Sequence, residues 1–379
     1  MHYKIVGFSS IAAALALVTS GRGGVPISSN KVPAGAHTVP AVAAAVGYNT
    51  VTFGPDPALG TNLFPWQFLS PGPQPAGYAS QNADGSLAVS GKANNHYGAS
   101  VSAVRKISGD HGWSGLAFGG GAYFEAVLSF TGQTDYYYPN GGPAFWLKDV
   151  EQFSQGAYAV GWPSGSTPAW SASTRYAAGD MVGYNGQIWL SINSGNVNNP
   201  PPSSGSGANA YWTGYNDFFE IDVMQYDSAN AKFPDTYQVE FANWYGSPTT
   251  GSGPSKNWPE AVPGAVGSIS VPSGTDFSKP HKYGFLWVPA TGSGQTTFTQ
   301  GYAKAYLDGV QVGQTGYWNY YDMNQPGNYP APPPVIGTTC LSGMDWRHLV
   351  PILGTEPQHP MTVHSLTVWQ ASGANNLIE

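Results

Sequence analysis

Cysteine is almost missing from this 379-residue chain, which holds only Cys340. A single thiol excludes a disulfide within the chain and any zinc site built from several thiolates. Its expected place is that of a small buried apolar residue. Charge is scarce as well: 14 Lys and Arg and 21 Asp and Glu make up 9% of the residues, with a formal net charge of -7. No basic stripe exists to neutralise a run of phosphates, so nucleic acid is not an expected partner. Beyond the N-terminus no apolar run reaches the length that a membrane span needs. The eight His are scattered without metal-ligand spacing, and no Asp-rich loop of the Ca²⁺-binding type occurs, so neither a metal nor a cofactor is expected. Long helical periodicity is lacking too.

What is present points one way. The chain carries 50 Gly, 32 Pro, 23 Tyr and 13 Trp, a turn-rich β composition with many flat aromatic faces. Such a surface suits a neutral, hydroxyl-rich polymer whose sugar faces stack on rings, although in a β protein the same rings also fill the core. Short β-prone runs recur between turn residues: Ser86 to Ser90, Tyr123 to Phe130, Ala144 to Leu147, Phe218 to Gln225, Tyr237 to Trp244, Tyr283 to Val288, Ala303 to Leu307 and Met361 to Trp369. Several alternate apolar and polar residues with period two, which predicts two packed antiparallel sheets. Asn82-Ala83-Asp84-Gly85 reads as a turn feeding a strand, and Asp308-Gly309 as a hairpin turn. At the N-terminus, a charged Met1-His2-Tyr3-Lys4, an apolar run from Ile5 to Val18 and the small residues Ser20 and Gly21 predict a signal peptide over residues 1–20 and a secreted protein. Residues 21–45 read as a flexible tether.

The segment richest in chemistry is Asp217-Phe218-Phe219-Glu220-Ile221-Asp222-Val223-Met224-Gln225-Tyr226-Asp227. In an extended strand Glu220 and Asp222 share one face, while Phe219, Ile221 and Val223 share the other and face the core. Two adjacent carboxylates repel, which tends to raise one pKa and suits acid/base or nucleophilic work.

This segment resembles the Glu-x-Asp-x-x-Glu signature of glycoside hydrolase family 16. Gly121-Ala122-Tyr123-Phe124-Glu125-Ala126, Gly142-Pro143-Ala144-Phe145-Trp146-Leu147, His281-Lys282-Tyr283-Gly284-Phe285-Leu286-Trp287, Tyr306-Leu307-Asp308-Gly309 and Met361 to Gln370 are similar to other strands of that family in the expected order. The resemblance implies an all-β, concanavalin A-like jelly-roll sandwich of two antiparallel sheets, over residues 46–165 and 215–379. It implies a retaining, endo-acting hydrolase of a β-linked polysaccharide such as a β-glucan. Glu220 is then the nucleophile and Asp222 its support, and a bulge after the Asp brings the last position of the signature onto the same face. That position is Gln225, an amide with no proton to deliver. Asp227 is the next candidate donor, with Glu240 and Glu151 in reserve. Trp146, Trp244, Trp258 and Trp346 are candidates for sugar-binding subsites.

Residues 166–214 break the rhythm. Trp170, Tyr176-Ala177-Ala178-Gly179-Asp180-Met181-Val182, Tyr184-Asn185-Gly186-Gln187-Ile188-Trp189 and a closing Trp212 resemble the small carbohydrate-binding modules called chitin-binding type 3. The resemblance implies a short three-stranded sheet inserted in the sandwich. Trp170 and Trp212 match its packing positions, and Tyr184, Trp189 and Tyr211 are the candidates for its sugar platform. Relatives that carry paired tryptophans after the hairpin differ from this chain, which has Ser191-Ile192-Asn193-Ser194-Gly195-Asn196 there.

Three functions follow: a secreted glycosidase, a lectin-like polysaccharide-binding protein on a disarmed hydrolase frame, or a matrix protein that has kept only the sandwich. Glu220 with Asp222 favours the first and Gln225 the second. The partner in the first two is a polysaccharide, and a monomer is expected.

Overall fold

The period-two segments pair into two antiparallel sheets. This computed structural model describes residues 38–67, 70–71, 77–90, 99–107, 112–130, 142–153, 168–177, 180–185, 187–191, 193–202, 209–214, 216–226, 236–246, 260–261, 267–294, 297–318, 320, 344–345, 347–355 and 359–379. Among them, one sheet of eight strands runs Val310–Trp318, Gly301–Leu307, His281–Val288, Ala122–Phe130, Met361–Gln370, Leu87–Val89 and Ala79–Gln81, with Thr50–Phe53 also on Met361–Gln370. The other, of nine, runs Glu260–Ala261, Thr236–Gly246, Asn216–Gln225, Ala144–Asp149, Leu349–Thr355, Ala99–Ser102, Phe64–Gln67 and Ser70–Pro71, with Gly267–Ser270 also on Thr236–Gly246. Beside hairpin neighbours, each sheet joins strands from distant parts of the chain, as in a jelly-roll sandwich.

The core lies between the sheets. Ala122, Phe124, Ala126 and Leu128 of the first meet Phe145, Leu147, Phe219, Ile221, Val223, Met224, Leu349 and Leu353 of the second, all buried in one cluster. The alternation puts every second residue there, and each large side chain so buried contributes about 1.5–3 kcal/mol. Phe118 and Phe124 meet edge to face at 5.4 Å, and Phe130 stacks on Phe277 at 5.3 Å.

Both expected turns form. Gln81 pairs with Leu87 across the first, and Leu307 with Val310 across the second, where Asp308 and Gly309 take φ of 50° and 82°. Positive φ at both positions is the geometry that an Asp-Gly hairpin turn supplies.

The expected tether extended too far. Ala41–Ala44 forms a single helical turn, and Ala43 is buried with Tyr48, Tyr123 and Trp369 on the outer face of the eight-stranded sheet. Small apolar residues that read as linker composition are packing residues here. The signal-peptide segment lies outside the described residues, as does Cys340.

The inserted segment has its own sheet of Met181–Tyr184, Gln187–Ser191 and Trp212–Gly214. Its small core is Tyr176, Val182, Trp189 and Trp212, with Trp170 and Tyr184 against it.

At one end of the sandwich a half-buried carboxylate gathers three N–H donors. Asp345 accepts from Trp287 Nε1 at 3.0 Å, Trp318 Nε1 at 2.7 Å and the Ala290 amide at 2.9 Å. Burial outweighs these donors and pushes its pKa up to about 7.

Candidate active site

Asn216–Gln225 lies between Ala144–Asp149 and Thr236–Gly246, and its register slips by one residue against both. Against the first, Asp222 pairs with Trp146 and Met224 with Phe145; against the second, Asp222 pairs with Glu240 and Gln225 with Gln238. One extra residue on the central strand is a β-bulge, which reverses the facing of everything after it. Val223 and Met224 are accordingly both buried in the inter-sheet core, while Glu220, Asp222 and Gln225 are all only partly buried, on the opposite face.

Cross-strand partners share a face, so the register sets out three rows on the outer face of the nine-stranded sheet. Lys148, Glu220 and Ala242 form the first, Trp146, Asp222 and Glu240 the second, and Ala144, Gln225 and Gln238 the third. Three carboxylates and one ammonium thus occupy adjacent positions.

Electrostatics follow from this crowding. Burial first, and then the charges of Glu220 and Glu240, hold the Asp222 carboxyl well above the usual carboxylate range, with Lys148 pulling the other way. Burial and then Glu220 also raise Glu240. Lys148 is fully buried, and burial draws its pKa below the usual lysine range against the opposing pull of Glu220, Asp149 and Asp222. An ammonium persists in such a place only beside anions.

The strand is anchored from its other face. Asp149, buried, accepts the Phe219 amide at 2.7 Å and faces Arg347 Nη1 at 3.3 Å. The Arg347 guanidinium in turn lies 5.9 Å from the centre of the Phe219 ring. This contact fixes the strand one residue before Glu220. Glu151, a reserve donor by sequence, is engaged elsewhere: its carboxylate meets His348 Nδ1 at 2.6 Å and accepts the His348 amide at 3.2 Å.

The aromatic candidates divide. Trp146 stands directly opposite Asp222 and borders a cluster of Trp66, Trp113, Val104, Ala117, Val150, Val350 and Ile352. Its ring lies against Gly354, where an added β-carbon would sit 2.7 Å from Trp146 Cη2 and closer still to Ser100 Oγ. Only glycine permits that approach. The backbone register sets Trp244 opposite Phe218; Trp258, Trp346 and Asp227 lie outside the described residues.

In the inserted module, Trp189 departs from expectation. It is 1% exposed, with its indole N–H on the Tyr184 carbonyl at 3.2 Å, so it is a core residue and offers no face to a sugar. A three-stranded sheet this small spends its largest side chain on its own core. Trp212 is likewise buried, as expected of a packing position, Tyr184 is half-buried edge-on to Trp170 at 5.5 Å, and Tyr211 is 39% exposed.

Sequence reasoning missed Lys148, Asp149 and Arg347. A signal was there for the first: a lysine closing the apolar run Ala144 to Leu147 in a chain so poor in charge. Arg347 carries none, since its partner is 198 residues away. No group of three or more potential metal ligands occurs among the described residues.

No protein-family model and no curated protein matches this chain. Solved structures similar to it include a β-glucanase from Bacillus licheniformis, 10% identical over 84% of this chain and 97% of its own, with a TM-score of 0.32. Arcelin-5, a lectin-like defense protein from Phaseolus vulgaris, is 10% identical over 87% and 99%, with a TM-score of 0.32. Lectin UEA-II complexed with galactose is 12% identical over 85% and 98%, with a TM-score of 0.30. Likenesses at these scores carry no argument about the site, and the sandwich itself rests on the strand pairing described above.

Proposed function

We propose that this chain is a secreted, retaining glycoside hydrolase that cleaves within a β-linked polysaccharide, with the inserted module as an accessory carbohydrate-binding element. The observation that carries this reading is the Val223–Met224 bulge, which aligns Glu220, Asp222 and Gln225 on one face beside buried Lys148.

In this reading the Glu220 carboxylate attacks the anomeric carbon and forms a glycosyl-enzyme, which water then hydrolyses. Asp222, held toward its neutral form, shares its proton with Glu220 and keeps it in line. Lys148 supplies the counter-charge beneath them. Trp146, opposite Asp222, offers a ring edge to the bound sugar. In the module, Tyr211 and Tyr184 remain as sugar contacts.

A second reading, polysaccharide binding without turnover, is favoured by one specific observation. Gln225 stands opposite Gln238, and two amides side by side offer donors and acceptors to sugar hydroxyls but no proton.

The test follows reducing-end release from β-1,3-glucan, mixed-linkage β-glucan, agarose, carrageenan and chitin. Release that falls by about 10⁴-fold or more in Glu220→Gln establishes the hydrolase. Binding without release, in the native chain and on all five polymers, establishes the second reading instead.

A further inference from the structure

The geometry points to Glu240 as the acid/base residue that protonates the leaving glycosidic oxygen, the role that Gln225 has no proton to fill. This assignment rests on the hydrolase reading above. Of the nine positions in the array around Asp222, carboxylates stand at three, and two of those already act as nucleophile and support. Glu240 is the third. Its position is diagonal to Glu220 across the ladder, because Glu220 pairs with Ala242 and Asp222 with Glu240. Diagonal neighbours lie about 7–8 Å apart at the backbone and remain within reach of long side chains. Two glutamates leaning together over that gap attain the roughly 5–5.5 Å between carboxyls that retaining chemistry uses.

The surroundings suit the role. Glu220 and Asp222 face Glu240 from the central strand, and Lys148 lies one strand further, beyond Glu220. On its far side the register brings Gly267 and Ser268 to Val239 and Gln238, and Ala261 to Ala242. Anions therefore dominate its neighbours; burial first, and then the Glu220 charge, keeps the carboxyl above its usual range. A proton donor working near neutral pH needs that.

The step balances without a further reagent. As the bond from C1 to the leaving oxygen breaks, Glu240 passes its proton to that oxygen and a neutral sugar alcohol departs, while Glu220 bonds to C1. The Glu240 carboxylate then takes a proton from water as the water oxygen bonds to C1 and Glu220 is released, which restores both residues.

The experiment compares the full chain with Glu240→Gln, Glu220→Gln and the double variant Gln225→Glu/Glu240→Gln on β-1,3-glucan and on 2,4-dinitrophenyl β-laminaribioside, whose leaving group needs no protonation. Loss of the general acid lowers glucan turnover by roughly 10²- to 10⁴-fold. The expected pattern for Glu240→Gln is that loss on glucan, near-native release of dinitrophenol in the first turnover, and disappearance of the alkaline limb of the pH profile. Gln225→Glu restores glucan turnover in the Glu240→Gln background. Native-like glucan turnover by Glu240→Gln, with Glu220→Gln inactive, overturns the assignment and leaves the hydrolase reading standing. Equal losses on both substrates, with the pH profile unmoved, overturn it too, because a structural role predicts that. Turnover that survives Glu220→Gln, or a native chain silent on all five polymers and on the dinitrophenyl glycoside, overturns the hydrolase reading and this assignment with it.

Discussion

Two half-buried carboxylates of this molecule, Asp345 and Asp222, stand among different neighbours. At one end of the sandwich Asp345 meets three N–H donors, from Trp287, Trp318 and Ala290. On the outer face of the nine-stranded sheet, Asp222 meets the carboxylates of Glu220 and Glu240 and the ammonium of Lys148. Burial raises the pKa at both. A raised pKa is therefore no mark of a site in itself. The neighbours decide: donors that satisfy a carboxylate make a pin, and anions that oppose it make the array on which the hydrolase reading rests.

Removing the pin gives the largest effect. Asp345→Ala strands three buried donors, at about 1–3 kcal/mol for each that finds no water, and the expected loss is roughly 4 kcal/mol, read as a lower denaturant midpoint. Turnover by the fraction still folded stays within a few-fold of native. A midpoint that does not move shows that the three bonds hold nothing in place.

Lys148→Met reverses the pattern, acting on chemistry more than on folding. Without the ammonium, Glu220 and Asp222 lose their counter-charge, and on the hydrolase reading glycan turnover at pH 7 is expected to fall about 10²-fold, which corresponds to about 2.7 kcal/mol. Because Lys148 lowers the Asp222 pKa, the activity profile of the variant shifts to higher pH. A profile that keeps its shape and position denies Lys148 this role.

The pin also has a pH dependence of calculable sign. The Asp345 pKa rises from 3.8 to about 7 on folding, so its protonated form favours the native state. That contribution is complete below pH 3.8 and is lost as the pH rises through 7, by at most about 1.4 kcal/mol per unit. Between pH 5 and 8 the native chain should lose about 2–3 kcal/mol that Asp345→Asn does not, measured by denaturant titration at each pH. Equal pH slopes in the two proteins refute the assignment.

Glu125 sharpens the contrast at the small end. It is buried on the outer face of the eight-stranded sheet, accepts the Tyr123 hydroxyl at 3.1 Å and lies 4.0 Å from Lys282. An amide keeps the hydrogen bond, so Glu125→Gln should change stability by less than about 1 kcal/mol and leave turnover native. A loss of turnover there assigns the opposite sheet a part in the chemistry.

Strands that alternate were legible in the sequence, and those that do not were missed. Tyr123 to Phe130 and Phe218 to Gln225 show their two faces in their residues, and the structure returns them as Ala122–Phe130 and Asn216–Gln225. Leu349–Thr355 is buried along its whole length and holds Pro351 in mid-sheet, opposite Leu147. Such a run has no period to read, and proline argues against a central strand. In the site, Glu220 and Asp222 were legible because their face follows from local spacing alone. Lys148 and Asp149, and Glu240, which the sequence offered only as a reserve donor, join them through registers between strands, and register lies in no single stretch of sequence. Trp189 was misplaced for a related reason: aromatic spacing in a hairpin does not say which ring the module keeps for its own core.

The bulge in the carboxylate strand works as a parity switch. Upstream of it, even-numbered residues face the outer side of the sheet; downstream, odd-numbered ones do. Insertion of a single residue there, with the bulge retained, would leave Glu220 and Asp222 in place and turn the strand over beyond them, sending Gln225 to the side of Phe130 and Phe277 where Tyr226 now packs and bringing Tyr226 out into its place, whereas deletion of one would only remove the bulge and keep Gln225 outward. The chain can thus exchange a polar amide for an aromatic ring at that end of the array by a change of length alone, with no substitution in any side chain.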